Sequence, residues 1–184
     1  SEMKKNRMNM IVKMMMGTMV MLSLSAIPVY AQEPSVGEMA TVNSEQKSTL
    51  LPPGVGMSRD VQHSTTRGSV ISTGILELSN EGNGDIGILI ETLTHVPCDR
   101  IRNKIYLERW NESTQGWDFV DSYEFNALKA DQPNQDLSGL MNAITVKGQP
   151  TGYYYRARGA HMAKGSGKIE SLSSQTDGVL ITKK

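Results

Sequence analysis

The sequence has few of the residues that cross-link or anchor small proteins. Among its 184 residues are one cysteine, two tryptophans and two phenylalanines, and aromatic residues make up 5%. The single cysteine, Cys98, excludes an intrachain disulfide, so the fold must rest on apolar packing. We interpret Cys98 as a small buried hydrophobe, with an intermolecular disulfide as the alternative.

The chain also lacks an excess of charge of either sign. Its formal net charge is zero, but residues 1–31 hold four basic residues and one acidic residue. The remainder has 15 basic and 18 acidic residues. Because nonspecific nucleic-acid binding needs a basic surface, this weakly acidic remainder predicts no nucleic-acid partner.

Residues 1–31 have the three-part layout of a secretory signal peptide. Basic residues come first, residues 14–27 form a short apolar stretch, and Val29-Tyr30-Ala31 is a small-x-small cleavage site. The apolar stretch is short for a membrane span and is interrupted by glycine, threonine and serine. We therefore predict cleavage after Ala31, a secreted, extracellular protein, and no stable membrane insertion afterwards.

Residues 32–65 lack any sustained apolar period and are rich in Glu, Gln, Ser, Thr, Pro and Gly. This composition predicts a flexible linker or arm. Residues 66–184 also lack a convincing amphipathic helix, but they contain short β-rich runs separated by turn residues. The predicted strands cover residues 69–78, 85–94, 101–110, 117–125, 140–146, 152–161 and 178–182.

About seven strands at this spacing are typical of an all-β, antiparallel β-sandwich, with a small barrel as the alternative. Tyr153 or Tyr155 could serve as the tyrosine corner of an immunoglobulin-like version. In the fourth strand, alternation predicts one face made of aromatic residues, namely Trp117, Phe119, Tyr123 and Phe125. Residues 126–139 form a polar loop in which a short helical turn could lie.

One set of segments resembles a known family. The segments are Ile105-Tyr106-Leu107-Glu108-Arg109-Trp110, Gly116-Trp117, residues 152–161, Glu170-Ser171 and Thr176-Asp177-Gly178. In this order they are similar to a domain-of-unknown-function family of small secreted proteins from Gram-positive, clostridia-like bacteria. The resemblance covers residues 68–182 and the signal peptide. It implies a secreted bacterial β-protein, and it implies no activity and no functional residues.

The sequence lacks a catalytic motif. No Gly-x-Ser-x-Gly elbow is present, and the three histidines, His63, His95 and His161, are far apart along the chain. A secreted hydrolase would need His95 or His161 within about 3 Å of a nucleophile and a carboxylate inside a cleft. We predict no catalytic residues, and we keep a small secreted hydrolase and an antibacterial or inhibitory protein as alternatives.

Metal ligands are equally sparse. His95 and Cys98 have ligand spacing beside Asp99, but zinc needs three or four ligands and the chain offers no second pair. The residues Asn80, Asn83 and Asp85 surround glycines that a tight turn would need in any case. We predict no metal site and no cofactor.

Two patterns suggest binding. Trp110 and Tyr154, together with Trp117, could offer flat faces to sugar rings, with Asn111, Glu112 and Gln115 as hydrogen-bonding groups. Tyr154, Arg156 and Arg158 alternate along one strand, and Arg102 and Lys104 share their direction, as in a basic recognition strip. Core packing and a solvated face with ion pairs to Glu108 or Glu124 are the structural alternatives. We predict ligand-binding residues Trp110, Tyr154, Arg156 and Arg158 in a binding module for an extracellular protein or glycan.

Overall fold

The computed structural model describes residues 47–65, 67 and 69–183. The predicted signal peptide and residues 32–46 of the predicted arm lie outside the described residues. The described chain contains nine strands and a short 3-10 helix at Lys129–Asp131, inside the loop where a helical turn was expected. The strands are β1 Met57–His63, β2 Ile71–Gly82, β3 Asp85–Thr94, β4 Arg100–Asn111, β5 Gly116–Leu128, β6 Gly139–Val146, β7 Tyr153–Gly165, β8 Lys168–Gln175 and β9 Val179–Ile181.

The strands form two antiparallel sheets that pack as a β-sandwich, as predicted. Sheet one has the order β1-β2-β3-β6. Sheet two has the order β5-β4-β7-β8, and β9 pairs with the first residues of β7. The described residues contain no helix that is long and apolar enough to cross a bilayer.

Local sequence explains the hairpin between β2 and β3. Gly82, Asn83 and Gly84 all have positive φ, a conformation that glycine and asparagine adopt at low cost. The flanking strands then alternate, so that Leu76, Leu78 and their β3 partners point inward. The central core between the sheets consists of Leu76, Leu78, Ile86, Ile88, Ile90, Ile105, Leu107, Tyr155, Ala157, Val179 and Ile181.

Two strands were missed at the level of sequence, so the expected count of seven was too low. Strand β1 lies inside the segment that was predicted to be flexible, and β8 lies in a predicted Gly/Ser-rich turn region. Both are edge strands with polar sequences, MSRDVQH and KIESLSSQ, which do not show the apolar alternation of a half-buried strand. The prediction of a flexible arm is therefore wrong for residues 57–63.

Polar bonds between β1 and the end of β8 close one side of the sandwich. Asp60 Oδ2 accepts from the backbone N–H of Gln175 at 2.7 Å, and Ser58 Oγ accepts from that of Asp177 at 2.9 Å. Since these bonds join residues more than 110 positions apart, they depend on the complete fold and leave no local sequence signal.

Strand β5 does not present its four aromatic residues on one face, which corrects the alternation predicted from sequence. The pairing with β4 shifts between Leu107 and Glu108, which is a β-bulge. Before the bulge, Trp117 and Phe119 pair with residues on the outer face of sheet two. After it, Tyr123 packs against the central core, and so does Phe125. A bulge adds one residue to one strand and so reverses the alternation beyond it.

Two further expectations concern single side chains. Cys98 is buried, with 2% of its surface exposed, and burial raises the pKa of its thiol. Its interpretation as a buried hydrophobe therefore agrees with the structure. The Tyr155 hydroxyl, also buried, donates to the carbonyl of Pro150 at 3.0 Å. This is the backbone bond expected of a tyrosine corner. The immunoglobulin-like version of the sandwich itself stays a prediction.

Candidate functional site

A groove with a volume of about 530 Å³ opens at one end of sheet two. The β4–β5 hairpin forms one wall, and the start of β7 with the loop before it forms the other. Three aromatic rings and several polar side chains meet there. The lining residues are Arg109, Trp110, Asn111, Glu112, Ser113, Asp118, Thr151, Gly152, Tyr153 and Tyr154.

The groove arises because β4 and β7 separate. Their ladder ends at the pair Arg109↔Tyr155. Beyond this pair β4 continues into its hairpin with β5, whereas Tyr153 and Tyr154 pair with β9 on the other side. The residues from Trp110 onward therefore face the start of β7 across an open space. Strand ends that diverge in this way leave side chains of both strand faces at one opening.

Contacts within the groove fix several of its side chains. The Arg109 guanidinium lies over the Tyr153 ring, with 5.0 Å between its central carbon and the ring centroid. Asn111 Nδ2 donates to Asp118 Oδ2 at 2.8 Å, while Asn111 Oδ1 accepts from the backbone N–H of Ser113 at 3.0 Å. Tyr153 nevertheless keeps 49% of its surface exposed. Its ring is thus held in place by a cation and remains accessible.

Trp110 is held by a neighbouring aromatic ring. Its ring meets that of Trp117 edge to face, with centroids 5.3 Å apart, a favoured geometry for aromatic pairs. Trp117 in turn lies against Gly178. A methyl group added at Gly178 would come within 2.8 Å of the indole. Trp110 therefore enters the groove wall with its ring orientation set before any ligand arrives.

The four residues predicted for binding separate into two places. Trp110 and Tyr154 line the groove, together with Asn111 and Glu112. Arg156 and Arg158 share an outer face with Tyr154, as the alternation predicted, but they do not line the groove.

Arg156 and Arg158 belong to an ion cluster centred on Glu108. Arg156 Nε donates to Glu108 Oε2 at 2.8 Å, and Arg158 donates to Oε1 from Nε at 3.0 Å and from the terminal nitrogen at 2.8 Å. The Glu108 side chain is only 8% exposed. Rings cover the cations, with Trp117 at 4.5 Å from Arg156 and Tyr106 at 5.5 Å from Arg158. This is the ion-paired face that the sequence offered as a structural alternative.

The histidines are not arranged for hydrolysis in the described chain. His161 is fully buried, and its Nε2 lies 2.8 Å from Ser174 Oγ. Its other ring nitrogen, Nδ1, meets the hydroxyl of Thr92 at 2.8 Å and not a carboxylate. His95 is exposed in a small pocket whose lining includes serine and lysine side chains but no carboxylate. His63 is exposed on β1 and lies 3.2 Å from a threonine hydroxyl.

Metal ligands are similarly dispersed. Among residues 47–65, 67 and 69–183, no group of three or more His, Cys, Asp or Glu side chains could hold a metal ion. Asn80 uses its side-chain oxygen to accept from the backbone of its own turn, at Gly82. This hydrogen bond within the turn gives the side-chain oxygen of Asn80 a partner, so the turn needs no bound cation to explain that residue.

Several groove residues were missed by the sequence analysis. Arg109 and Tyr153 have the same parity as the buried residues of their strands, and no motif included Asp118, so none of the three was identified as a site residue. Tyr153-Tyr154-Tyr155 is the signal that could have found part of the site, because three consecutive tyrosines cannot all be buried in an alternating strand. Which of them meets a ligand depends on where the β4–β7 ladder ends, and the sequence does not state that.

Comparison with known proteins leaves the family open. No protein-family model matches the chain, and no curated protein matches it. Among solved structures, one titled as the C-terminal domain of wzt is 12% identical and is matched over 74% of this chain and 81% of that one, with a TM-score of 0.35.

Proposed function

We propose that this protein is an exported binding module and that it holds a glycan in the groove at the end of sheet two. The observation that carries the proposal is the groove itself, in which Trp110, Tyr153 and Tyr154 meet polar groups from the β4–β5 hairpin. Export rests on the predicted signal peptide. The alternative ligand for the same groove is a protein.

The groove has the chemistry that a sugar ring requires. Sugars offer a flat C–H face and a rim of hydroxyl groups, so a site needs rings for the first and hydrogen-bonding groups for the second. Tyr153 supplies an exposed ring, and Trp110 supplies an indole whose orientation is fixed. The carboxylates of Glu112 and Asp118 can accept hydrogen bonds from sugar hydroxyls, and the Arg109 guanidinium can donate hydrogen bonds to the oxygens of those hydroxyls.

The size and preorganisation of the groove also favour a small ligand segment. Its volume of about 530 Å³ lies within the range of about 300–1,000 Å³ that is usual for ligand sites. Because Arg109, Asn111 and Asp118 are already held by contacts within the protein, little side-chain ordering remains to oppose binding.

Trp110→Ala tests this proposal. With glycans selected on an array and measured by calorimetry, we expect about a 10- to 100-fold loss of affinity, since a buried aromatic anchor contributes about 1.4–2.8 kcal/mol. Tyr153→Ala, which removes an exposed ring and is expected to leave the core intact, should cause a similar loss. Thermal unfolding of each variant checks that the fold is retained.

Phe119→Ala is the matched control. Phe119 is an aromatic residue on β5 with 62% of its surface exposed, and it does not line the groove. It should bind as the unchanged protein does. Equal losses at Phe119 and Trp110, or full affinity in both groove variants, would contradict the assignment of the groove as the glycan site.

A further inference from the structure

Charge on the described chain is separated by face. On the outer face of sheet two, alternate residues of β4 and β7 carry cations, and this surface is called the basic face below. Its cations are Arg100, Arg102, Lys104, Arg156, Arg158 and Lys164, and its carboxylates are Glu108 and Glu124.

The rest of the described chain has the opposite sign. Away from the basic face it holds eight Lys or Arg residues and thirteen Asp or Glu residues. The basic face thus has a formal charge of +4 on a molecule whose other surfaces sum to −5. Such a concentration of one sign produces a local attractive potential for anions that the near-neutral total charge conceals.

Cations outnumber carboxylates on the basic face, and some of them lie side by side. Arg100 and Lys164 are direct cross-strand partners in the β4–β7 ladder, and like charges at opposite positions are destabilising. Lys104 and Arg158 both lie over the ring of Tyr106, at 5.2 and 5.5 Å. Glu124, 40% exposed, is shared between Arg102 and Lys104. Six cations thus stand against two carboxylates on this face, which leaves it with an excess of positive charge.

The basic face is continuous with the groove. Trp110 and Tyr154, which line the groove, lie on the same outer face as Arg156 and Glu108. From Trp110 to Arg100 the strand spans ten residue steps, which is about 33 Å of extended chain at about 3.3 Å per residue. A ligand of several sugar units could therefore enter the groove and continue along the cations.

We propose that the basic face binds an anionic polysaccharide, a chain whose repeating sugars carry carboxylate or phosphate groups. This inference rests on the proposed function, since the groove holds one end segment of the same polymer. The aromatic rings of the groove then bind sugar rings, and the cations of the basic face attract the charges along the polysaccharide. The same excess of positive charge attracts both carboxylate and phosphate, so the face fits either group.

A single-stranded nucleic acid fits the basic face less well. Its bases need open aromatic rings for stacking, but the ring in the middle of the face, Tyr106, is covered by Lys104 and Arg158. The exposed rings, those of the groove and Phe119 opposite Glu108, all lie toward one end of the face. The favoured polymer is one that carries its charges on sugars and needs stacking at only a few units.

The test compares two charge-matched double variants of the purified protein. Arg100→Gln/Lys164→Gln removes two cations of the basic face. Because Arg100 Nε also donates to Asn126 Oδ1 at 2.6 Å, thermal unfolding of this variant checks that the fold is retained. Lys147→Gln/Arg59→Gln removes the same charge from exposed residues on sheet one and the loop after it, away from the face. The probes are polygalacturonate for carboxylate, poly(glycerol phosphate) for phosphate, a neutral glucan and single-stranded DNA, each measured at several salt concentrations.

We expect the unchanged protein to bind at least one anionic glycan more tightly than the neutral glucan, with affinity that falls as salt is raised. The face variant should lose about tenfold in affinity at low salt and reduce the slope of log affinity against log salt by about 1–2. The off-face variant should stay within about twofold of the unchanged protein, because screening limits the effect of distant charges.

Three results would overturn the inference: salt-independent binding, equal losses in both double variants, or tighter binding of DNA than of either anionic glycan. The same experiments distinguish a failure of the proposed function at the groove from a failure of the basic face. If Trp110→Ala abolishes binding of the neutral glucan while the face variant changes nothing, the groove stands and the basic face does not. If the face variant lowers affinity while the groove variants bind fully, the reverse holds.

Discussion

His161→Ala should lower the free energy of unfolding by about 3–5 kcal/mol. His161 is fully buried between the sheets, and its ring packs so closely on Gly74 that an added methyl group there would lie 2.9 Å from it. Alanine would leave a cavity, and it would also remove the ring nitrogens that the hydroxyls of Thr92 and Ser174 contact. Urea unfolding at pH 7 measures the loss.

The hydrogen bonds around His161 define its tautomer. The Thr92 hydroxyl donates to Asn103 Oδ1 at 2.5 Å, so it must accept from His161, which places the proton on Nδ1. Nε2 then accepts a hydrogen bond from the Ser174 hydroxyl. Asn103 completes the chain by donating to the carbonyl of Leu140 and to Asn142. Every group is satisfied when the ring is neutral.

The same environment makes stability depend on pH. Burial lowers the pKa of His161 to about 4, whereas in the unfolded chain it lies near 6.5. Between these values the unfolded state binds more protons, so this contribution is fully present above about pH 6.5 and is lost as pH falls toward 4. At about 1.36 kcal/mol per pH unit, the loss reaches up to about 3 kcal/mol.

His161→Gln isolates this effect, because glutamine does not titrate. The difference in unfolding free energy between the unchanged protein and this variant should shrink as pH falls from 7 to 4. His95→Ala, at an exposed histidine, should change stability by no more than about 0.5 kcal/mol. A constant difference across the pH range would show that His161 does not titrate differently in the fold.

Glu108→Ala should cost about 3 kcal/mol, the second large effect. Glu108 is the shared acceptor of Arg156 and Arg158, whose side chains are 13% and 19% exposed. Without it two neighbouring guanidinium groups would remain partly buried beside each other and without that carboxylate. Thermal unfolding and urea unfolding both measure the loss.

Glu124→Ala provides a control on the same sheet face. Glu124 also contacts two cations, Arg102 and Lys104, but it is 40% exposed. Removing it should cost less than about 1 kcal/mol, as for other exposed ion pairs. Equal losses for the two glutamates would contradict the view that burial, rather than the number of contacts, decides the strength of the Glu108 cluster.

The sequence was sufficient to predict the β-sandwich because the core strands alternate visibly. Residues 85–94 show isoleucine at alternate positions, and the Gly82-Asn83-Gly84 turn has the chemistry of a tight hairpin. Strand β1 could not be found in the same way. Its pairing with β2 and its bonds to Gln175 and Asp177 supply what its own polar sequence lacks.

The candidate site was predicted in part for a similar reason. Trp110 and Tyr154 were identifiable as flat side chains at strand ends, but their partners Arg109 and Tyr153 were not. The bulge in β5 and the end of the β4–β7 ladder decide which side chains reach the groove. Both depend on the pairing register of strands far apart in sequence, which composition and alternation do not determine.

An NMR titration of the isotope-labelled protein with the glycan that binds most tightly tests the central claim most directly. The two indole N–H signals, from Trp110 and Trp117, provide built-in reporters. We predict that the Trp110 indole and the backbone amides of residues 109–113 and 151–154 shift together as the ligand saturates. Shifts confined to sheet one, or a saturating ligand that leaves the Trp110 signal unmoved, would contradict the assignment of this groove as the binding site.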